Sequence, residues 1–180
     1  MRQELRRGSL PIDYKSLIVH QRGLPFPYNR PTEAHIRQGF TWRPGSVTFR
    51  TLDPEELLEE SVLVDTDQSE TVALPPAAVR IIRVPFDIGA DGIEVTSPIG
   101  IAWSIDLPPG HYALYFAVEP DEAITRAIAQ GEWKDPLIQA AWIYHLTFLP
   151  ESSPVQPAIL RADDQLEPPE HLVMEAEPAV

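Results

Sequence analysis

Apolar and polar residues alternate most regularly between Val84 and Ala113, where Ile93, Val95, Ile101, Trp103, Ile105 and Leu107 keep a period of two. That period places successive side chains on opposite faces of half-buried strands. Three turn clusters punctuate the stretch: Asp91-Gly92, Ser97-Pro98-Ile99-Gly100 and Asp106-Leu107-Pro108-Pro109-Gly110. Glycine accepts positive φ and proline presets φ, so each cluster ends one strand and redirects the chain. Comparable strand-like runs lie at Ile12 to His20, Ser46 to Thr51, Val62 to Val64, Val79 to Phe86, Tyr112 to Val118 and Ala140 to Leu149. Thr32 to Gly39 fits a short helix with Thr32 as N-cap and Gly39 as stop. Asp121 to Gln130 fits a second, closed by Gly131. Residues 53–58 admit either one helical turn or a solvated loop. The pattern predicts an all-β fold, an antiparallel β-sandwich of about seven to nine strands with one or two short helices on its connections. A parallel α/β sheet needs crossover helices between its strands, and 121–130 alone offers one.

Residues 1–150 read as a single sandwich domain with a loose basic start over 1–8. After Pro150 the alternation is lost, and Pro154, Pro157, Pro168, Pro169 and Pro178 lie among acids. This predicts a disordered or loosely docked acidic, Pro-rich tail over 151–180. The 180 residues, 43% of them hydrophobic, suffice for a core. No apolar run is long enough for a transmembrane helix. The N-terminal MRQELRRGSLPIDY has no apolar segment behind its basic residues, so a cytoplasmic location is expected. The absence of cysteine excludes disulfides, thiolate metal sites and cysteine nucleophiles.

The net charge of −13 is unevenly spread. Residues 1–50 hold nine of the fourteen basic residues against three acids, whereas residues 51–70 hold eight acids and no base. Such a chain is repelled by phosphates, so direct nucleic-acid binding is not expected. A basic protein partner is, because complementary potentials steer encounter. The acidic candidates for that contact are Glu55, Glu56, Glu59, Glu60, Asp65 and Asp67, and simple solubility is the competing reading of the same charge.

Signatures of catalysis are lacking. There is no Gly-rich phosphate loop and no nucleophile elbow, and His20, His35, His111, His145 and His171 never fall at metal-ligand spacing. They read as structural. Asp65 to Glu70 faintly resembles a calcium loop but lacks glycine at its sixth position and glutamate at its twelfth. No enzymatic activity, metal or cofactor is therefore expected. Trp42, Trp103, Trp142, Tyr112, Tyr115, Tyr144 and Phe116 line a ligand cleft or fill the core, and their place on alternating strands favours the core. Trp133 stands apart, in the loop Gly131 to Pro136, as a candidate interface anchor.

An ordered series of small motifs resembles the competence protein J family. The series runs from Ile12-Asp13-Tyr14 with Leu17-Ile18-Val19, through Pro31-Thr32-Glu33-Ala34 to Gly39-Phe40 and Gly45-Ser46-Val47-Thr48-Phe49. It continues with Val84-Pro85-Phe86, Asp91-Gly92-Ile93-Glu94-Val95, and Ser104-Ile105-Asp106-Leu107-Pro108 with Gly110 and Tyr112 to Leu114. The resemblance implies a small acidic protein that binds the DNA-entry nuclease of competent bacteria and blocks it. A carboxylate-bearing surface is suited to the positive groove of a metal-dependent DNase. The acidic connection 52–76 and the tail after Pro150 depart from the family's pattern. No site residue is carried over, and the acidic run is read from charge alone. The alternative is a non-catalytic ligand-binding or protein-interaction module that keeps the family fold with a different partner.

Overall fold

A computed structural model of the protein describes residues 1–52, 58–67, 72–132 and 141–179. The chain forms β1 (Arg2–Ile12), β2 (Ser16–Gln21), β3 (Asn29–Arg30), α1 (Glu33–Gln38), β4 (Phe40–Arg43) and β5 (Ser46–Arg50). Then come β6 (Leu58–Asp67), β7 (Arg80–Ile88), β8 (Ile93–Thr96), β9 (Trp103–Ile105) and β10 (Gly110–Pro120). After α2 (Glu122–Ala129), the chain ends in β11 (Trp142–Pro150), β12 (Ala158–Arg161) and β13 (Glu177–Pro178). A six-stranded sheet in the order β1-β6-β11-β10-β7-β12 faces a five-stranded sheet in the order β4-β5-β2-β8-β9. A small ribbon joins β13 to β3.

The expected sandwich is present, with more strands than alternation alone shows. Segments of two to four residues, such as β3, β12 and β13, are too short to display a period. Pairing is antiparallel except between β6 and β11, which run parallel. The residues read as a loose basic start belong to β1, whose Arg2, Glu4, Arg6 and Arg7 hide its strand character. The run from Ile12 to His20 is not one strand. A tight turn at Asp13–Ser16, with Tyr14 and Lys15 at φ 50° and 51°, carries the chain from one sheet to the other. Positive φ at both central residues is the type I′ geometry, usually built with Asn or Gly. Ile101 is also displaced: it lies outside β9 and is 74% exposed, whereas Trp103 and Ile105 are buried.

Between the sheets, the Phe49 ring of β5 stacks on Phe116 of β10 at 4.5 Å, and Phe116 stacks on Tyr144 of β11 at 5.9 Å. Phe148 takes edge contacts from Phe86 and Tyr112. The Tyr144 hydroxyl accepts a hydrogen bond from the Leu52 amide, which satisfies its polar tip inside the core. On one flank, the Arg6 guanidinium lies 4.6 Å over the Trp103 ring and joins β1 to β9. A Cβ at Gly8 would stand 3.3 Å from that ring, so glycine permits the approach.

Residues 151–179 close the other flank. β12 pairs with β7, Asp163 meets Arg80, Leu166 enters the core over Gly39, and both ends of the Gln38 amide bond to the Val173 backbone. The Ala176 amide then donates to Trp42 of β4, and β13 pairs with β3. The Trp42 indole completes this flank by donating to the Pro85 carbonyl of β7 at 2.7 Å.

Candidate partner-binding surface

Of the acidic candidates, Glu59, Glu60, Asp65 and Asp67 belong to β6, an interior strand of the six-stranded sheet, and not to a connecting loop. Its neighbour on one side is β1, where the register sets Asp67 opposite Arg2, Asp65 opposite Glu4, Glu60 opposite Leu10 and Glu59 opposite Pro11. The two strands complement each other: β1 carries three arginines and one glutamate, β6 four acids and no base. Across the ladder the register sets one opposite-charge pair, Arg2 with Asp67, and one like-charge pair, Glu4 with Asp65. Charges, Pro11 and a register shift between Glu4 and Arg6 blunt that edge against further pairing. A calcium loop does not form at Asp65 and Asp67, because both are ladder residues of the strand. Glu55, Glu56 and Trp133 lie outside the described residues.

Near the Pro11 end of β1 the chain exposes apolar side chains, of which the alternation pattern assigns Ile101 to a half-buried strand. Pro11, opposite Glu59, accepts a hydrogen bond from Ser97 Oγ at 2.6 Å. That bond docks the loop 97–102 against β1. A Cβ at Gly100 would meet Ser97 Oγ at 2.4 Å, so the loop closes only around glycine. Ile99 and Ile101 stand on the loop 68% and 74% exposed, and Tyr14, two residues after β1, is 70% exposed. Large apolar groups left in water are the composition of an interface core. The signal available in the sequence was the pair of aliphatic residues flanking Gly100 inside a turn.

Four of the five histidines sit in structural pairings. His20 faces Glu94 at 3.5 Å, His111 faces Asp87 at 2.5 Å and His145 Nε2 faces Glu119 at 2.8 Å. His35 completes the cap of α1: its Nδ1 accepts from the Thr32 amide, while the Thr32 side chain accepts from the His35 amide. Burial holds the His35 pKa below its ordinary value. Among the described residues, no group of three or more His, Asp or Glu is arranged to hold a metal ion. No helix among them is long and apolar enough to cross a membrane.

The model of the competence protein J family matches residues 9–149. The chain belongs to that family. It is 27% identical over 113 residues to the DNA-entry nuclease inhibitor of Bacillus subtilis (strain 168), spanning 63% of this chain and 81% of the relative. Its fold is similar to the crystal structure of ComJ, inhibitor of the DNA degrading activity of NucA, from Bacillus subtilis. That likeness has a TM-score of 0.62 at 23% identity and covers 84% of this chain and 99% of the other. The structure titled crocagin biosynthetic gene J shares the fold with a TM-score of 0.52 at 11% identity, over 84% of this chain and 99% of that one. The segment 151–179 that seals one flank lies beyond the family match.

Proposed function

We propose that this protein binds a DNA-degrading nuclease stoichiometrically and suppresses its activity, without chemistry or cofactor of its own. Membership of the competence protein J family carries the reading, together with the inhibitor relative in Bacillus subtilis. The proposed partner is a basic, metal-dependent DNase met in the cytoplasm. An enzyme that grips phosphates must present positive potential, and a chain of net charge −13 answers it without competing for DNA. The proposed contact surface combines the carboxylates of Glu55, Glu56, Glu59, Glu60, Asp65 and Asp67 with Trp133 and with the exposed Tyr14, Ile99 and Ile101. In this division of labour the carboxylates accelerate encounter and the apolar groups slow dissociation.

Replacing Glu55, Glu56, Glu59 and Glu60 together by glutamine is expected to slow association about tenfold at low salt and to flatten its salt dependence. Tyr14→Ala is expected to leave association near wild type and to speed dissociation instead. Surface-immobilised nuclease and stopped-flow mixing separate the two rates. Unchanged association in the quadruple variant places the contact elsewhere on the molecule.

A further inference from the structure

Beneath α1, on the outer face of the five-stranded sheet, lies a cavity of about 330 Å³. The register explains its floor. Ile18 pairs with Thr48 and Thr48 with Thr41, all on the face opposite the core residues Leu17, Val19, Val47 and Phe49. Tyr28, Ile36 and Tyr14 add apolar and aromatic wall, whereas Phe40, the ladder partner of Phe49, belongs to the core.

Its electrostatics run against those of the whole chain. In a protein of net charge −13, the cavity is lined by Arg50, Lys15 and His35 and by no carboxylate among the described residues. Two of its other polar groups are already satisfied. The Asn29 amide donates to the Thr41 carbonyl and accepts from Arg43 Nε, and the Ser16 hydroxyl donates to the Tyr14 carbonyl. His35 Nδ1 is taken by Thr32, which leaves the proton on Nε2, a buried donor with no acceptor. The Arg50 guanidinium, half-buried, has neither hydrogen bond nor ion pair among the described residues. A cation partly withdrawn from water beside apolar walls is costly until an anion joins it.

We infer that this cavity is a binding site for a small organic carboxylate with an apolar, ring-sized body, its anionic end on Arg50 and its body against Ile18, Tyr28 and Ile36. The volume is at the small end of ligand sites, which suits an amino-acid-sized molecule and not a nucleotide. The inference does not rest on the nuclease reading, although Tyr14 belongs to both surfaces.

Phenylacetate, its neutral isostere phenylacetamide, and inorganic phosphate are the probes. Each is titrated into the full chain while the backbone amide resonances of Ile18, Thr41 and Thr48 are followed. Phenylacetate is expected to shift those resonances saturably and to bind about tenfold more tightly than phenylacetamide. Arg50→Gln is expected to erase that difference while the remaining spectrum stays that of the folded protein. Three results each overturn the inference: no shift with phenylacetate, equal binding of acid and amide, or equal binding in Arg50→Gln. Phosphate matching phenylacetate at these resonances also overturns it, because the apolar wall then contributes nothing.

Discussion

Asp163→Ala is expected to lower stability by about 3–5 kcal/mol at neutral pH, the cost of stranding a buried charge without its partner. Arg80 is fully buried and spends its guanidinium on three contacts. Nε and Nη2 meet the two oxygens of Asp163 at 2.5 and 2.9 Å, and Nη1 donates to the Arg50 carbonyl. Removing the carboxylate leaves two of those donors in a place water does not reach. Burial by itself raises the Asp163 pKa, but the hydrogen bonds and charge of Arg80 outweigh it and hold the carboxyl below its ordinary value. The stabilisation is therefore fully present above the unfolded-state pKa of about 3.9 and is lost as pH falls through the lower folded-state value. Urea unfolding of both proteins at pH 7 and at pH 3 checks this. The gap between them is expected to be wide at pH 7 and to narrow in acid. An equal gap at both pH values shows that the loss comes from packing and not from the ion pair.

Phe116→Ala is expected to cost about 3–5 kcal/mol, the usual range for deleting a fully buried aromatic ring. Phe116 is the middle ring of the stack that runs from Phe49 to Tyr144, so its loss opens a hole between two rings lying within 10° of parallel to it. One contact crosses between the sheets and the other links neighbouring strands of one sheet, which leaves little freedom for either ring to collapse inward. Phe116→Leu keeps most of the volume without the stacking and is expected to recover roughly half of the loss. Thermal unfolding of the three proteins orders them. A leucine variant as unstable as alanine assigns the effect to ring stacking; one as stable as wild type assigns it to volume alone.

Local signals in the sequence were read correctly where the structure uses local chemistry. Thr32 caps α1 and Gly39 ends it at φ 83°, and Asp121 caps α2 by accepting from the amides of Ala123 and Ile124. The long strands β7, β10 and β11 stand where alternating or dense apolar runs placed them. What escaped the reading depends on distant partners. The strand character of β1 comes from β6, 46 to 65 residues away, and its own charges break the apolar period. The turn at Tyr14-Lys15 takes a left-handed conformation with neither glycine nor asparagine, so no residue type announces it. The segment after Pro150 is fixed by short ladders to β7 and β3 and by contacts of long separation, Asp163 to Arg80 and Val173 to Gln38, which leave no periodic trace.

The same division holds for the site. Charge counting found the acids of β6 but not the basic strand laid beside them, nor the exposed Tyr14, Ile99 and Ile101. Tyr14 is exposed by a turn, and Ile99 and Ile101 by a loop that one hydrogen bond from Ser97 docks on Pro11. The cavity beneath α1 is a product of sheet register and helix placement, and its residues are scattered from Tyr14 to Pro98.

The central claim is tested most directly by titrating the purified protein into the DNA-entry-type nuclease of its own organism and following DNA cleavage at low and moderate salt. The account predicts inhibition that is complete near one equivalent and weakens as salt rises, because the acids steer the encounter. Full nuclease activity in the presence of excess folded protein contradicts it.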